Sequence, residues 1–315
     1  MQMMFQYFFE RVLLVSVLFL GTCEFVSKDH LFFNGQVRSF EIHAPSDLPA
    51  APVPLVIALH QFTGTGRQMR LMTGFNAIAD REKFVVVYPD GLERSWNYEL
   101  SGVTAMIKTS DDEGFLLALI EHLEGRYRID PGRIYLTGAS NGAMLTQTMA
   151  CRHANLFAAI APVMGSMEWE TARRSAPVAP MPTLLVHGTA DPIVPFEGGL
   201  REEVIRNPNY LSAGENADWW AEHNGCSNAP VVERYPDKVP DDGTRLKVYR
   251  YEDCGEAEVL LYCVEGAGHT WPGSPNNAPE PLVGKTSYEF SASEAIWSFF
   301  SRHRRAVAQE YTGQS

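Results

Sequence analysis

Short continuous apolar runs alternate along the chain with stretches whose apolar positions return every third or fourth residue. The runs Pro54–Leu59, Phe84–Tyr88, Arg133–Thr137, Ala158–Val163, Thr183–Val186 and Val259–Val264 read as strands buried on both faces. Arg38–His43 reads as an early edge strand. Helical periodicity covers Arg67–Arg81, Ala143–Ala150 and Ser291–His303, the last with Ala295, Ile296, Phe299 and Phe300 on its apolar face. Ser110-Asp111-Asp112-Glu113 reads as a capping box opening a helix that runs to about Tyr127. Capping and complementation of the helix dipole account for this acidic cluster without a catalytic carboxylate pair. Such alternation predicts an α/β fold: a mostly parallel central sheet with helices on both faces. The chain has no internal repeat and no low-complexity tract.

Gly138-Ala139-Ser140-Asn141-Gly142 stands between the strand ending at Thr137 and the helix starting at Ala143. A G-x-S-x-G in that context is the nucleophile elbow of α/β-hydrolases. The strained turn lifts the serine hydroxyl above the sheet, and glycines flank it because strand and helix come too close for a Cβ. The backbone N–H of Asn141, at the helix start, is placed to hold a developing oxyanion. A serine hydroxyl needs a base and the base needs an orienting acid, here in the chain order Ser, Asp or Glu, His. Asp191 lies just past the strand Thr183–Val186, and His269 lies in the Gly-rich loop after Val259–Val264. Ser140, Asp191 and His269 are therefore the expected catalytic set. The plainer alternatives are that Asp191 initiates a turn before Pro192 and that His269 is an ordinary loop histidine. His187 precedes the acid and is read as a structural support for its loop.

The second oxyanion donor is expected from the loop after Pro54–Leu59, with the Phe62 N–H as the candidate and Gln61 beside it. Gly64-Thr65-Gly66 is only a partial G-x-G and no dinucleotide fingerprint. Three irregular stretches, 90–110, 165–180 and 197–216, are expected to carry specificity. Gln61, Trp96, Trp169 and Trp271 are the candidate substrate contacts, the alternative for each aromatic being that it packs against the domain body.

With these residues assembled, the chain resembles the secreted esterase family that holds polyhydroxybutyrate depolymerases and feruloyl esterases. The resemblance is carried by Leu59-His60, Phe75–Asp80, Val87–Gly91, Ser95-Trp96-Asn97, Asp112–Phe115, Gly138–Gly142, Leu156–Val163, His187–Pro192, Asn224-Gly225-Cys226 and Gly268–Gly273, spread over about residues 35 to 303. It implies a Ser140-Asp191-His269 triad that hydrolyses carboxylic esters through an acyl-enzyme without a cofactor. Feruloyl or other aryl esters of plant polysaccharide are the favoured substrates, and hydroxyalkanoate oligomers the alternative. It also favours a Cys226–Cys254 disulfide, leaving Cys151 and Cys263 to pair or stay as buried thiols. One departure is Gln61, where the family usually has glycine; a side chain there narrows the acyl pocket or restricts the backbone that aims the second donor. Altered oxyanion residues also occur in non-catalytic binding proteins of this fold, the reading from another class. Depolymerases acting on solid polymer often add a C-terminal binding module, which is not expected here.

The remaining bounds come from composition and the ends. The chain has 315 residues, enough for one large domain, and a formal net charge of −12, which argues against nucleic-acid binding. No Cys-x-x-Cys or His-Glu-x-x-His occurs, so no metal site is expected. The apolar run Val12–Leu20 after Arg11 is short for a membrane span and reads as a secretory signal. The expected organisation is a signal peptide at 1–22, an N-terminal linker at 23–34, the catalytic domain at 35–303 and a tail at 304–315. Export is the expected location, with lipid anchoring through Cys23 as a second possibility. The oligomeric state is left open.

Overall fold

A computed structural model describes residues 28–98, 110–199, 210–227, 229–275 and 278–306. The expected signal peptide and Cys23 lie outside the described residues, as does most of the tail. Ten strands form one sheet: β1 (Asp29–Phe33), β2 (Gln36–His43), β3 (Val53–Leu59), β4 (Val85–Pro89), β5 (Ile129–Ala139), β6 (Ala159–Val163), β7 (Thr183–Gly188), β8 (Val231–Arg234), β9 (Arg245–Tyr251) and β10 (Val259–Glu265). Their order is β1-β2-β4-β3-β5-β6-β7-β10-β9-β8. The six central strands are parallel, and an antiparallel pair closes each edge. The helices are α1 (Gly66–Thr73), α2 (Phe75–Glu82), α3 (Asp112–Arg126), α4 (Asn141–Arg152), α5 (Trp169–Arg174), α6 (Ala213–His223), α7 (Glu280–Val283) and α8 (Ala292–Phe300).

Side-chain alternation along a strand builds two cores, one on each face of the sheet. In β3, Leu55, Ile57 and Leu59 join Leu119 of α3, Leu145 of α4 and Trp220 of α6. Val56 and Ala58 point the other way, toward Met69 of α1, Phe75 of α2 and Phe299 of α8. Every residue of β3 is buried, which is why its sequence is a continuous apolar run rather than an alternating one. Aromatic stacking seats α8, with Tyr135 and Phe300 ring centroids 4.8 Å apart and Phe84 and Trp297 at 4.2 Å.

Several expectations need adjustment. The helix expected over Arg67–Arg81 is two helices, because Gly74 adopts φ 61° and its N–H closes α1 on the Arg70 carbonyl. β2 is not at the edge: Asp29–Phe33, read as linker, pairs outside it as β1. The N-cap of α3 is Asp111, whose side chain accepts the Gly114 N–H. Ser110 instead donates to Asp112 at 2.8 Å. Asp112 is no capping group but half of a buried ion pair with Arg38 at 2.6 Å, and it also accepts the Asn97 N–H. The Arg38 guanidinium lies 3.8 Å from the Phe115 ring centre. Replacing Asp112 with Ala strands this cation in a dry site, so unfolding titrations should show a loss of about 3–5 kcal/mol. The tail begins packed, the Arg305 N–H reaching the Gly132 carbonyl at 2.9 Å.

A disulfide joins Cys226, beyond α6, to Cys254, in the turn between β9 and β10, while Cys151 and Cys263 are free and buried. Among the described residues, no helix is long and apolar enough to cross a membrane.

Candidate active site

Parallel strands deliver their following loops to one edge of a sheet, and four of these loops meet here. β5 leads to Ser140, β7 to Asp191, β10 to His269, and β3 to the His60–Phe62 loop. Ser140 has φ 53° and ψ −115°, a left-handed conformation that costs a non-glycine residue roughly 1–3 kcal/mol. The surroundings enforce it. The Ser140 N–H donates to the Val163 carbonyl at 2.9 Å, and the Ser140 carbonyl accepts the Met144 N–H at 3.0 Å. Helix α4 packs so tightly on β3 that a Cβ on Gly142 would stand 2.6 Å from both the Leu59 and His60 carbonyl oxygens.

Asp191 and His269 form a hydrogen-bonded pair, with His269 Nδ1 2.7 Å from Asp191 Oδ2. The other carboxylate oxygen accepts the N–H groups of Ile193 and Val194, at 2.7 and 2.9 Å. Burial alone would raise the Asp191 carboxyl; attraction to the His269 imidazole in its protonated form, the nearby His187 ring and the hydrogen bond from His269 outweigh it and hold the group below the ordinary carboxylate range. A carboxylate facing Nδ1 draws the proton to that nitrogen and leaves the Nε2 lone pair of neutral His269 free to act as a base. His187 is buried at the end of β7. Its Nε2 donates to the Val194 carbonyl at 2.9 Å and lies 3.5 Å from Asp191 Oδ2, so it braces the loop that carries the acid.

The loop after β3 is organised by His60. Its Nε2 accepts the Gly91 N–H at 2.9 Å, so the ring proton sits on Nδ1, which donates to the Gln61 carbonyl at 2.7 Å. Burial lowers the His60 pKa and keeps the ring neutral in this tautomer. The Gln61 carbonyl also accepts the Gly64 N–H, at 2.9 Å. In a planar trans peptide the N–H opposes the C=O, so the pinned Gln61 carbonyl turns the Phe62 N–H away from His60. No acceptor among the described residues takes that N–H. His60→Phe keeps the ring volume but frees this peptide; kcat should fall about 10²–10³-fold in ester-hydrolysis assays, the scale of losing one oxyanion donor.

The four expected substrate contacts separate. Gln61 and Trp271 line a cleft of about 340 Å³ together with Ser140, Phe62 and His269. Trp271 offers little surface there, since it is buried and donates from Nε1 to Ser293. Trp96 is fully buried and has no face for a ligand. Its Nε1 donates to the His60 carbonyl at 2.9 Å and its ring packs on His60, while its backbone N–H and C=O are both held by the Asn141 side chain. The Asn141 amide is thereby committed to Trp96, and only its backbone N–H, at the open start of α4, remains for an oxyanion. Trp169 is half-exposed at the start of α5 and is not among the residues lining this cleft. Met72, Met164, Ile193 and Val283 complete the apolar wall. Ile193 had a signal in the sequence, being two residues past Asp191; Val283 had none, reaching the cleft because its carbonyl accepts the His269 N–H.

This arrangement has relatives. A family model described as Esterase PHB depolymerase matches residues 38–194, a span that holds Ser140 and Asp191 but not His269. The chain is 28% identical to the inferred esterase NocK of Nocardia uniformis subsp. tsuyamanensis over 84% of this chain and 79% of that one. It is 29% identical to feruloyl esterase B of Piromyces equi over 69% of this chain, and spans 39% of that protein's length. An acetyl xylan esterase from Aspergillus awamori has the same fold, with a TM-score of 0.60 at 16% identity over 88% of this chain and 99% of that one. The chain is therefore similar to the Esterase PHB depolymerase family over residues 38–194, and it is a carboxylic ester hydrolase with the α/β-hydrolase fold.

Proposed function

We propose that the chain hydrolyses carboxylic esters through an acyl-enzyme on Ser140. The observation that carries this reading is the meeting, at one cleft, of a serine in a strained left-handed turn with a hydrogen-bonded His269–Asp191 pair. His269 takes the Ser140 proton as the oxygen attacks the ester carbonyl, and the N–H groups of Asn141 and Phe62 hold the oxyanion. His269 then passes the proton to the leaving alcohol, and water releases the acyl group by the reverse sequence. Asp191 keeps the imidazole oriented and offsets its positive charge.

The favoured acyl group is feruloyl or a related aryl acid esterified to plant polysaccharide. The relative from Piromyces equi is named a feruloyl esterase, and the cleft's apolar wall of Met72, Met164 and Ile193 suits a planar ring. Hydroxyalkanoate oligomers are the second reading, supported by the family's description. We read the protein as exported, on the apolar leader at Val12–Leu20 and the Cys226–Cys254 disulfide.

Purified protein is assayed on methyl ferulate and on a hydroxybutyrate trimer, with Ser140→Ala as control. Ferulate turnover lost in the variant supports the aryl-esterase reading. Turnover of the trimer alone replaces it with the depolymerase reading. Turnover of neither, with no phosphonate labelling of folded protein, points to a non-catalytic binding protein.

A further inference from the structure

The catalytic cleft does not end at its own wall. A second groove of about 360 Å³ adjoins it, and Ala278 lines both. The floor of this groove is tied to the loop that carries His269: the Gly268 N–H and the Thr270 hydroxyl both donate to the Lys285 carbonyl, at 2.9 and 3.1 Å, and the Gly273 N–H donates to Ser287 at 2.8 Å. Position on the His269 side matters, because the imidazole that protonates the leaving oxygen marks where the alcohol departs.

The lining differs from the apolar cleft. Asp241, Asp242, Glu280, Lys285 and Tyr288 surround the groove. Asp242 is occupied, accepting the Thr244 and Tyr288 N–H groups at 2.7 and 2.8 Å, which fixes the backbone of Tyr288. Among the described residues, the side chains of Asp241, Glu280, Lys285 and Tyr288 make no hydrogen bond, ion pair or ring contact, and Tyr288 is 50% exposed. A half-exposed tyrosine flanked by unengaged carboxylates and an ammonium matches a pyranose, which offers an apolar C–H face to a ring and hydroxyls to charged groups. Three carboxylates against one ammonium disfavour an anionic sugar, and a polyester chain would offer no hydroxyl to Asp241, Glu280 or Lys285.

We propose that this groove is a subsite for neutral glycosyl residues of the leaving alcohol, an assignment that rests on the esterase reading of Ser140 and His269. The test compares kcat/KM for a feruloylated xylo-oligosaccharide with that for methyl ferulate, and measures xylohexaose binding by calorimetry, in wild type, Tyr288→Ala and Asp241→Asn. Tyr288→Ala should lower the ratio of the two kcat/KM values about tenfold, the scale of one ring contact, and weaken xylohexaose binding in parallel. Asp241→Asn should shift both in the same direction by less. Turnover of both esters with a ratio that neither variant changes, and no xylohexaose binding, overturns the subsite. Xylohexaose binding that Tyr288→Ala abolishes, in a protein that cleaves neither ester, sustains the subsite and overturns the feruloyl-ester reading instead.

Discussion

Ser140→Ala should reduce ester hydrolysis by about 10⁵–10⁶-fold, to the residue of rate that oxyanion donors and substrate binding supply without a nucleophile. The fold should be untouched. Alanine occupies less space than serine, and the turn is imposed by the backbone hydrogen bonds to Val163 and from Met144, which survive the change. The left-handed φ persists, so its strain persists with it. A variant that unfolds at the same temperature as wild type and has lost activity separates the hydroxyl's chemical role from a structural one. A drop of tenfold or less would mean that another group attacks the ester.

The second large effect is expected at Asp191. In Asp191→Asn the amide has one oxygen to offer, and two claims compete for it. The backbone N–H groups of Ile193 and Val194 need an acceptor on one side, and the His269 Nδ1–H needs one on the other. Two backbone donors outweigh one, so the amide NH₂ turns toward His269 and draws its lone pair to Nδ1. The proton moves to Nε2, where the base must be free, and kcat should fall about 10⁴-fold at neutral pH. Acid stability should change as well. The native Asp191 carboxyl is held below its ordinary value, so its contribution to stability is fully present above the unfolded carboxylate range and is lost as pH falls through the folded value. The stability gap between wild type and Asp191→Asn should therefore be widest above about pH 5 and narrow steadily below pH 4. Unfolding titrations across pH 2–7 measure it; a gap that widens on acidification would contradict this account of the carboxylate.

The central strands were legible because burial on both faces writes itself as an unbroken apolar run, as in β3. The edge strands were not. β8 is mostly exposed and β1 alternates between half-buried and exposed positions with none fully buried, so neither carries the unbroken apolar run that marks a strand buried on both faces. The break at Gly74 was hidden because the apolar periodicity of α1 resumes in α2. Ser140, Asp191 and His269 could be picked out because each follows a strand end in a fixed chain order, and the structure brings Asp191 and His269 within hydrogen-bonding distance. Trp96 could not be placed. An aromatic residue in an irregular stretch looks the same whether it faces a ligand or the core. What decides it here are partners distant in sequence, the His60 carbonyl and the Asn141 amide. His60 was legible only as part of the family resemblance, with no sign of its role, yet it fixes the peptide that aims the Phe62 N–H.

The most direct test of the account is to treat the folded protein with a fluorophosphonate and weigh it intact, then map the adduct by peptide mass spectrometry. The account predicts one adduct per chain, on Ser140, formed rapidly in wild type and absent in both Ser140→Ala and His269→Ala. Folded protein that stays unlabelled, or label carried on another residue, would contradict it.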